Sequence, residues 1–141
     1  MLYWYRDLMV DEKLKKHFND HRVRIERYYR ALPKSKFFSE KERWWERIVG
    51  KKIPWRDYTV IVRAENPDNL FEVMSTRQWI FRHYEKMDIY VLGLFASSSN
   101  AVSCLEELLN EGYKNDTSYD PREAFADPED YETLTNEEVG I

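Results

Sequence analysis

The chain has 141 residues, of which 43% are hydrophobic and 34% charged, with a single cysteine and a net charge of −4. That length supports one domain that folds without staples, and one cysteine, Cys104, excludes an internal disulfide and a cysteine-based zinc knuckle, which points to a reducing compartment, the cytoplasm. The modest net charge hides a split: residues 1–56 hold 16 basic and 8 acidic side chains, residues 57–141 hold 6 and 18, so +8 and −12 make up the −4. Such asymmetry implies a charged partner or an acidic segment folded onto the chain's own basic face.

Tyr3-Trp4-Tyr5 and Leu8-Met9-Val10, parted by Arg6-Asp7, predict a β-hairpin. The same stretch lacks the basic start and apolar run of an export signal. From Asp11 to Leu32, the residues Leu14, Phe18, His21, Ile25, Tyr28 and Leu32 recur at spacings of four and three, which predicts an amphipathic helix stopped by Pro33. Ser39 and Glu42 have capping-box spacing and Gly50 suits a left-handed C-terminal cap, so a second helix is expected over 40–49. Tyr58 to Ala64 contains the uncharged β-rich run Thr59-Val60-Ile61-Val62, the mark of a strand covered on both faces. A helix is expected over Asn69 to Tyr84, then a second buried strand over Ile89 to Phe95. The apolar run there ends at Ala96, far short of the roughly 20 residues of a membrane helix, so no membrane partner is expected. Ser97-Ser98-Ser99-Asn100 supply N-caps for a last helix over Ala101 to Glu111, with Gly112 as its stop.

Strand, helix, strand, helix in that order predicts a parallel crossover. The expected fold is α/β: a small mixed sheet, made of the N-terminal hairpin plus two parallel strands, packed by about four helices. This domain spans 1–112, and 113–141 form an acidic aromatic tail.

The segments MLYWYRDLMVDEKLKK, YTVIVRAENPDNLFEV and IYVLGLFASSSNAVSCLEELLNEGY resemble a family of small uncharacterised proteins from gut-dwelling anaerobic bacteria. Ala64, Asn66, Pro67, Asn69 and Gly93 match that family's pattern. The resemblance spans about two-thirds of the chain, leaving out Trp44-Trp45 and the tail. It implies the fold and a bacterial or mobile-element origin, and no activity.

His17 and His21 sit four apart on one helical face, in the spacing of inverted zinc proteases with Asp20 in the place of glutamate. A zinc site would need a third ligand such as Glu26; the plainer reading makes His21 a hydrogen-bonded histidine of the apolar stripe. No cofactor is expected. If the crossover is parallel, the loops holding Asn66, Asn69, Ser97, Ser98 and Ser99 leave the same end of neighbouring strands, where open α/β sheets bind ligands. They form a candidate ligand loop, although the same residues serve as plain helix caps. No catalytic nucleophile is identified: the serines lack a nucleophile-elbow pattern.

Arg22, Arg27, Arg30, Lys41, Arg43, Arg47, Lys51 and Lys52 are interleaved with aromatics within 13–56, a mixture that pairs with phosphate and stacks on bases. Tyr113, Tyr119, Phe125 and Tyr131 recur every six residues, so an extended tail would show all four rings on one side. The functional expectation is a non-catalytic protein-binding factor, accessory or inhibitory to a bacterial mobile element or phage. It would use those four rings with Trp44 and Trp45. The alternatives are nucleic-acid binding through 13–56 with the tail as internal competitor, and a small enzyme using the ligand loop.

Overall fold

The computed structural model describes residues 1–31, 58–65, 69–80 and 87–140. The expected second helix at 40–49, with Trp44 and Trp45, falls outside them, as do Lys41, Arg43, Arg47, Lys51, Lys52 and Asn66.

Leu2–Val10 is one continuous strand, β1, rather than a hairpin. Both of its apolar runs find the same parallel partner: Trp4 opposes Val91 and Met9 opposes Gly93, and the strand bulges between them. A bulge lets Arg6-Asp7 leave the ladder without reversing the chain. Asp11 then caps a 3-10 turn, Glu12–His17, which leads into helix α1, Phe18–Ala31. Over the described residues the predicted stripe holds, with Leu14 of the 3-10 turn and Ile25 and Tyr28 of α1 buried; Leu32 and the expected stop at Pro33 lie outside them.

Strand β2, Thr59–Arg63, turns back into β3, Phe71–Ser75, where a helix was expected. Arg63 faces Phe71 and Thr59 faces Ser75 in an antiparallel ladder. The apolar positions Leu70, Phe71 and Met74 fit a helical stripe, but the turn-forming connection before them makes hairpin pairing the cheaper way to satisfy the backbone. A 3-10 turn, Thr76–Ile80, follows. Strand β4, Ile89–Phe95, lies parallel to β1 and antiparallel to β2.

The sheet is thus mixed, five-stranded and ordered β3-β2-β4-β1-β5, with helices on both faces. Its parallel pair is β1 with β4, not the expected β2 with β4, because the chain reverses once more through β3 than the predicted helix allowed. Both β2 and β4 are buried on both faces, as their uncharged runs imply.

Helix α2, Ser98–Asn115, is capped by Ser97 and runs through Gly112, which was expected to stop it. Gly112 serves packing instead: a Cβ there would lie 2.3 Å from the Tyr119 ring. The segment beyond α2 is folded. It forms the short helix α3, Pro121–Ala124, a 3-10 turn at Pro128–Asp130, strand β5, Tyr131–Glu132, and helix α4, Asn136–Val139. Gly140 closes α4 in the left-handed region (φ 80°), a conformation that glycine adopts without steric cost.

Two cores result. Leu2, Trp4, Val60, Val62 and Val91 meet Ile25, Tyr28 and Tyr29 of α1 on one face. On the other, Ile61, Leu92 and Phe95 meet Ala101, Cys104 and Leu108 of α2. The C-terminal segment contributes to both, with Phe125 and Tyr131 in the α2-side core and Leu134 and Val139 in the α1-side core. It wraps the β1 edge of the sheet like a clasp, and β5 pairs antiparallel with β1 at Trp4 and Tyr5. No helix among the described residues is long and apolar enough to cross a membrane.

Candidate functional site

Across the α2 side, Phe71 pairs with Arg63 between β3 and β2, and Tyr90 pairs with Tyr3 between β4 and β1. Tyr3 stacks on Tyr90 with ring centroids 4.8 Å apart, and the Arg63 guanidinium lies 4.3 Å from the Tyr90 centroid, near enough for cation–π attraction. The wrapped segment adds two rings. Phe125 meets Tyr5 and Phe71 edge-on, and Tyr131 meets Tyr5 and Tyr90. The Tyr131 hydroxyl donates to the Phe125 carbonyl at 2.6 Å. Burial pushes the Tyr131 phenol up to about 12, against the pull of the nearby Arg63 charge.

The four periodic rings therefore do not share one exposed side. Phe125 and Tyr131 are core residues, at 6% and 5% exposure, while Tyr113 is 44% exposed and rests edge-on against Tyr119. An extended chain was needed for a period of six to align them, and α3 and the 3-10 turn break it.

Three cations of α1, Arg22, Arg27 and Arg30, meet the wrapped segment. Arg22 donates to Glu132 at 2.8 Å, with its side chain only 12% exposed. Arg27 donates to the Val139 carbonyl at 2.6 Å. Arg30 donates to Asn136 at 2.7 Å, to the Leu134 carbonyl and to Glu26 at 3.1 Å, and the other carboxylate oxygen of Glu26 accepts from the Trp4 indole at 3.2 Å. Arg6 adds a bond to the Glu129 carbonyl at 2.9 Å. These arginines complete the exposed ends of a short strand and a short helix, where backbone carbonyls lack ladder partners.

The acids that stay at the surface lie on α2 and in the segment that follows it. Glu106, Glu107, Glu111, Asp116, Asp120 and Asp127 are exposed, and none is ion-paired with a described residue. Asp120 and Asp127 cap short helices with their side chains, and Asp116 accepts from the Ser118 amide and hydroxyl. Those bonds fix the carboxylates in place while leaving their charge facing solvent.

The predicted ligand loops leave opposite ends of the sheet, because β2 and β4 are antiparallel. Ser97 is a helix cap, accepting from the Asn100 amide at 3.3 Å, and exchanges a hydroxyl contact with Ser99; Ser98 opens α2. Asp11 ties this loop to the sheet, accepting from the Ala96 amide and the Asn100 side chain, each at 3.0 Å. Burial alone would raise the Asp11 carboxyl, but these bonds and one from the Lys13 amide outweigh it and hold the group below its ordinary value.

Asn69 does line a cleft of about 350 Å³, with Arg63, Leu70, Phe71, Arg122 and Phe125 among its walls. Its contribution is a backbone carbonyl that accepts from Arg122 at 2.6 Å. Neither arginine was singled out from the sequence, since only strand register and the fold of the C-terminal segment bring them together.

His21 exchanges a 2.8 Å hydrogen bond with the Tyr58 hydroxyl, and the exposed His17 ring lies 3.8 Å from Asp20. Among the described residues no group of three or more His, Cys, Asp or Glu is placed to hold a metal ion. No family model, curated protein or solved structure matches the chain.

Proposed function

We propose that this protein is a non-catalytic, cytoplasmic binding factor that presents a preformed acidic face to a basic surface of a protein partner, as an accessory or inhibitory subunit. The observation that carries this reading is the two-sided use of the C-terminal segment. Its rings and aliphatic residues are buried in both cores, while Glu106, Glu107 and Glu111 of α2 and Asp116, Asp120 and Asp127 beyond it stand exposed without ion-pair partners among the described residues. Charges held on a folded frame lose little freedom on docking and steer association with an oppositely charged surface.

The nucleic-acid reading has less support, because Arg22, Arg27 and Arg30 are directed into the chain's own C-terminal segment. The test is affinity capture from bacterial lysate with wild type and with a triple variant, Glu106→Gln, Glu107→Gln and Glu111→Gln, on the exposed side of α2. A stoichiometric protein with a basic surface should be retained by wild type, be released as salt rises, and be lost by the variant. Recovery of no stoichiometric protein, or of one the variant holds equally well, would contradict the proposal.

A further inference from the structure

The cleft between the facing ends of β2 and β3 and helix α3 is lined by a different set of residues from the acidic face. Two arginines, Arg63 of β2 and Arg122 of α3, line it. Arg63 is held at its root by the β2 ladder and over its plane by Tyr90 at 4.3 Å and Tyr131 at 6.0 Å. Arg122, on α3, is anchored through one terminal nitrogen to the Asn69 carbonyl. Neither forms an ion pair with a described residue; Arg63 gives one donor to the Tyr131 hydroxyl and Arg122 one to the Asn69 carbonyl, and each planar guanidinium carries further N–H donors of the kind that match carboxylate or phosphate oxygens. The facing wall is apolar, formed by Leu70, Phe71, Phe125 and Ala126. A volume of about 350 Å³ is at the lower end of the about 300–1,000 Å³ typical of small-molecule sites.

We infer that this cleft is a binding site for a small organic dianion with a short apolar or aromatic body, its oxyanion held by Arg63 and Arg122 and its body lying against Leu70, Phe71 and Phe125. Glu65 and Glu123 also line the cleft, and Glu65 is itself engaged by a neighbouring group. The surroundings are therefore close to neutral, and selection for the anion comes from aimed donors rather than from a broad positive field. Glu123 adds an acceptor for a hydroxyl on the ligand.

The probes are phenyl phosphate, phenylsuccinate and phenethylamine, titrated into the full-length ¹⁵N-labelled protein and followed by amide and arginine side-chain NMR shifts. Phenyl phosphate or phenylsuccinate should shift the Arg63 and Arg122 side-chain signals and the amides of Leu70, Phe71, Phe125 and Ala126 together, and whichever binds more tightly identifies the headgroup. Phenethylamine should bind at least tenfold more weakly. Arg122→Gln, on an exposed side chain, and Arg63→Gln should each weaken the anion about tenfold or more, and Arg63→Lys should recover only part of the loss; the spectra report whether each variant is folded. Equal binding of phenethylamine, no binding of either anion, shifts away from the cleft, or an unchanged affinity in a folded Arg122→Gln protein would overturn the inference.

Discussion

The two sides of the charge split differ in how their groups are used. Arg22, Arg27 and Arg30 of α1 point into the protein's own C-terminal segment and meet two of its backbone carbonyls but only one of its carboxylates, whereas most of the acids of residues 105–141 remain at the surface. Attraction between opposite net charges is therefore not what holds the segment down. What holds it is the burial of Phe125, Tyr131, Leu134 and Val139, reinforced at a few places by directed guanidinium bonds. A sequence-level count of charge cannot separate those cases, because it does not report where each group points.

Breaking the comparison at its strongest point gives the largest effect. A chain ending at Asn115 loses four buried apolar side chains and β5. At about 1.5–3 kcal/mol each, the loss rivals the about 5–15 kcal/mol of a typical domain's whole stability. Such a chain should show no cooperative unfolding by circular dichroism, and deleting the segment should not yield a folded protein with raised affinity for nucleic acid. Within the segment, Tyr131→Ala should cost about 3–5 kcal/mol in urea unfolding, as for other buried aromatics. Tyr131→Phe removes the bond to the Phe125 carbonyl and should cost about 1 kcal/mol.

Gly112→Ala opposes local propensity to packing. Alanine is favoured in a helix interior by about 1 kcal/mol, but its Cβ would stand 2.3 Å from the Tyr119 ring. Overpacking of that kind costs about 1–3 kcal/mol, so the melting temperature should fall, and adding Tyr119→Ala should remove the clash and return part of the loss. A rise in melting temperature for Gly112→Ala alone would show that Tyr119 does not rest there.

In pH dependence the effect appears only towards the alkaline and acid ends. The Tyr131 phenol is raised from 10.0 to about 12 in the folded state, so its protonated form is favoured by folding. Its contribution is fully present below pH 10 and declines as pH rises from 10 towards 12. The ultraviolet tyrosinate titration of wild type should show a late phenol near 12 that is lost in Tyr131→Phe. Asp11 has the opposite sign: its carboxyl is lowered in the folded state, so its contribution is present above the ordinary carboxylate value and is lost as pH falls through and below it.

The strands β2 and β4, the stripe of α1 and the Ser97 cap were legible because each is a local pattern of periodicity or cap chemistry. The pairing of β2 with β4 was not, since direction depends on how many times the chain reverses, and Phe71 to Ser75 fits two periods. At the site, His21 in the apolar stripe was legible as a hydrogen-bonded side chain, and its partner Tyr58 was not. Arg63 and Arg122 are far apart in sequence and line one cleft only because β3 and the wrapped segment bring them to the same side of the sheet. Tyr131 and Phe125 stood out by their spacing, but the same spacing could not tell buried rings from presented ones.

The claim that the acidic segment belongs to the folded core is tested most directly by native-state hydrogen exchange of the full chain. If the clasp is structural, the ladder amides joining β5 to β1 at Trp4 and Tyr5, together with the capped amides of Val139 and Gly140, should exchange through the same global opening as the buried amides of β4 and α1. Exchange of the β5 and α4 amides at near-unprotected rates, while β4 and α1 stay protected, would contradict it and would make residues 116–140 a detachable tail.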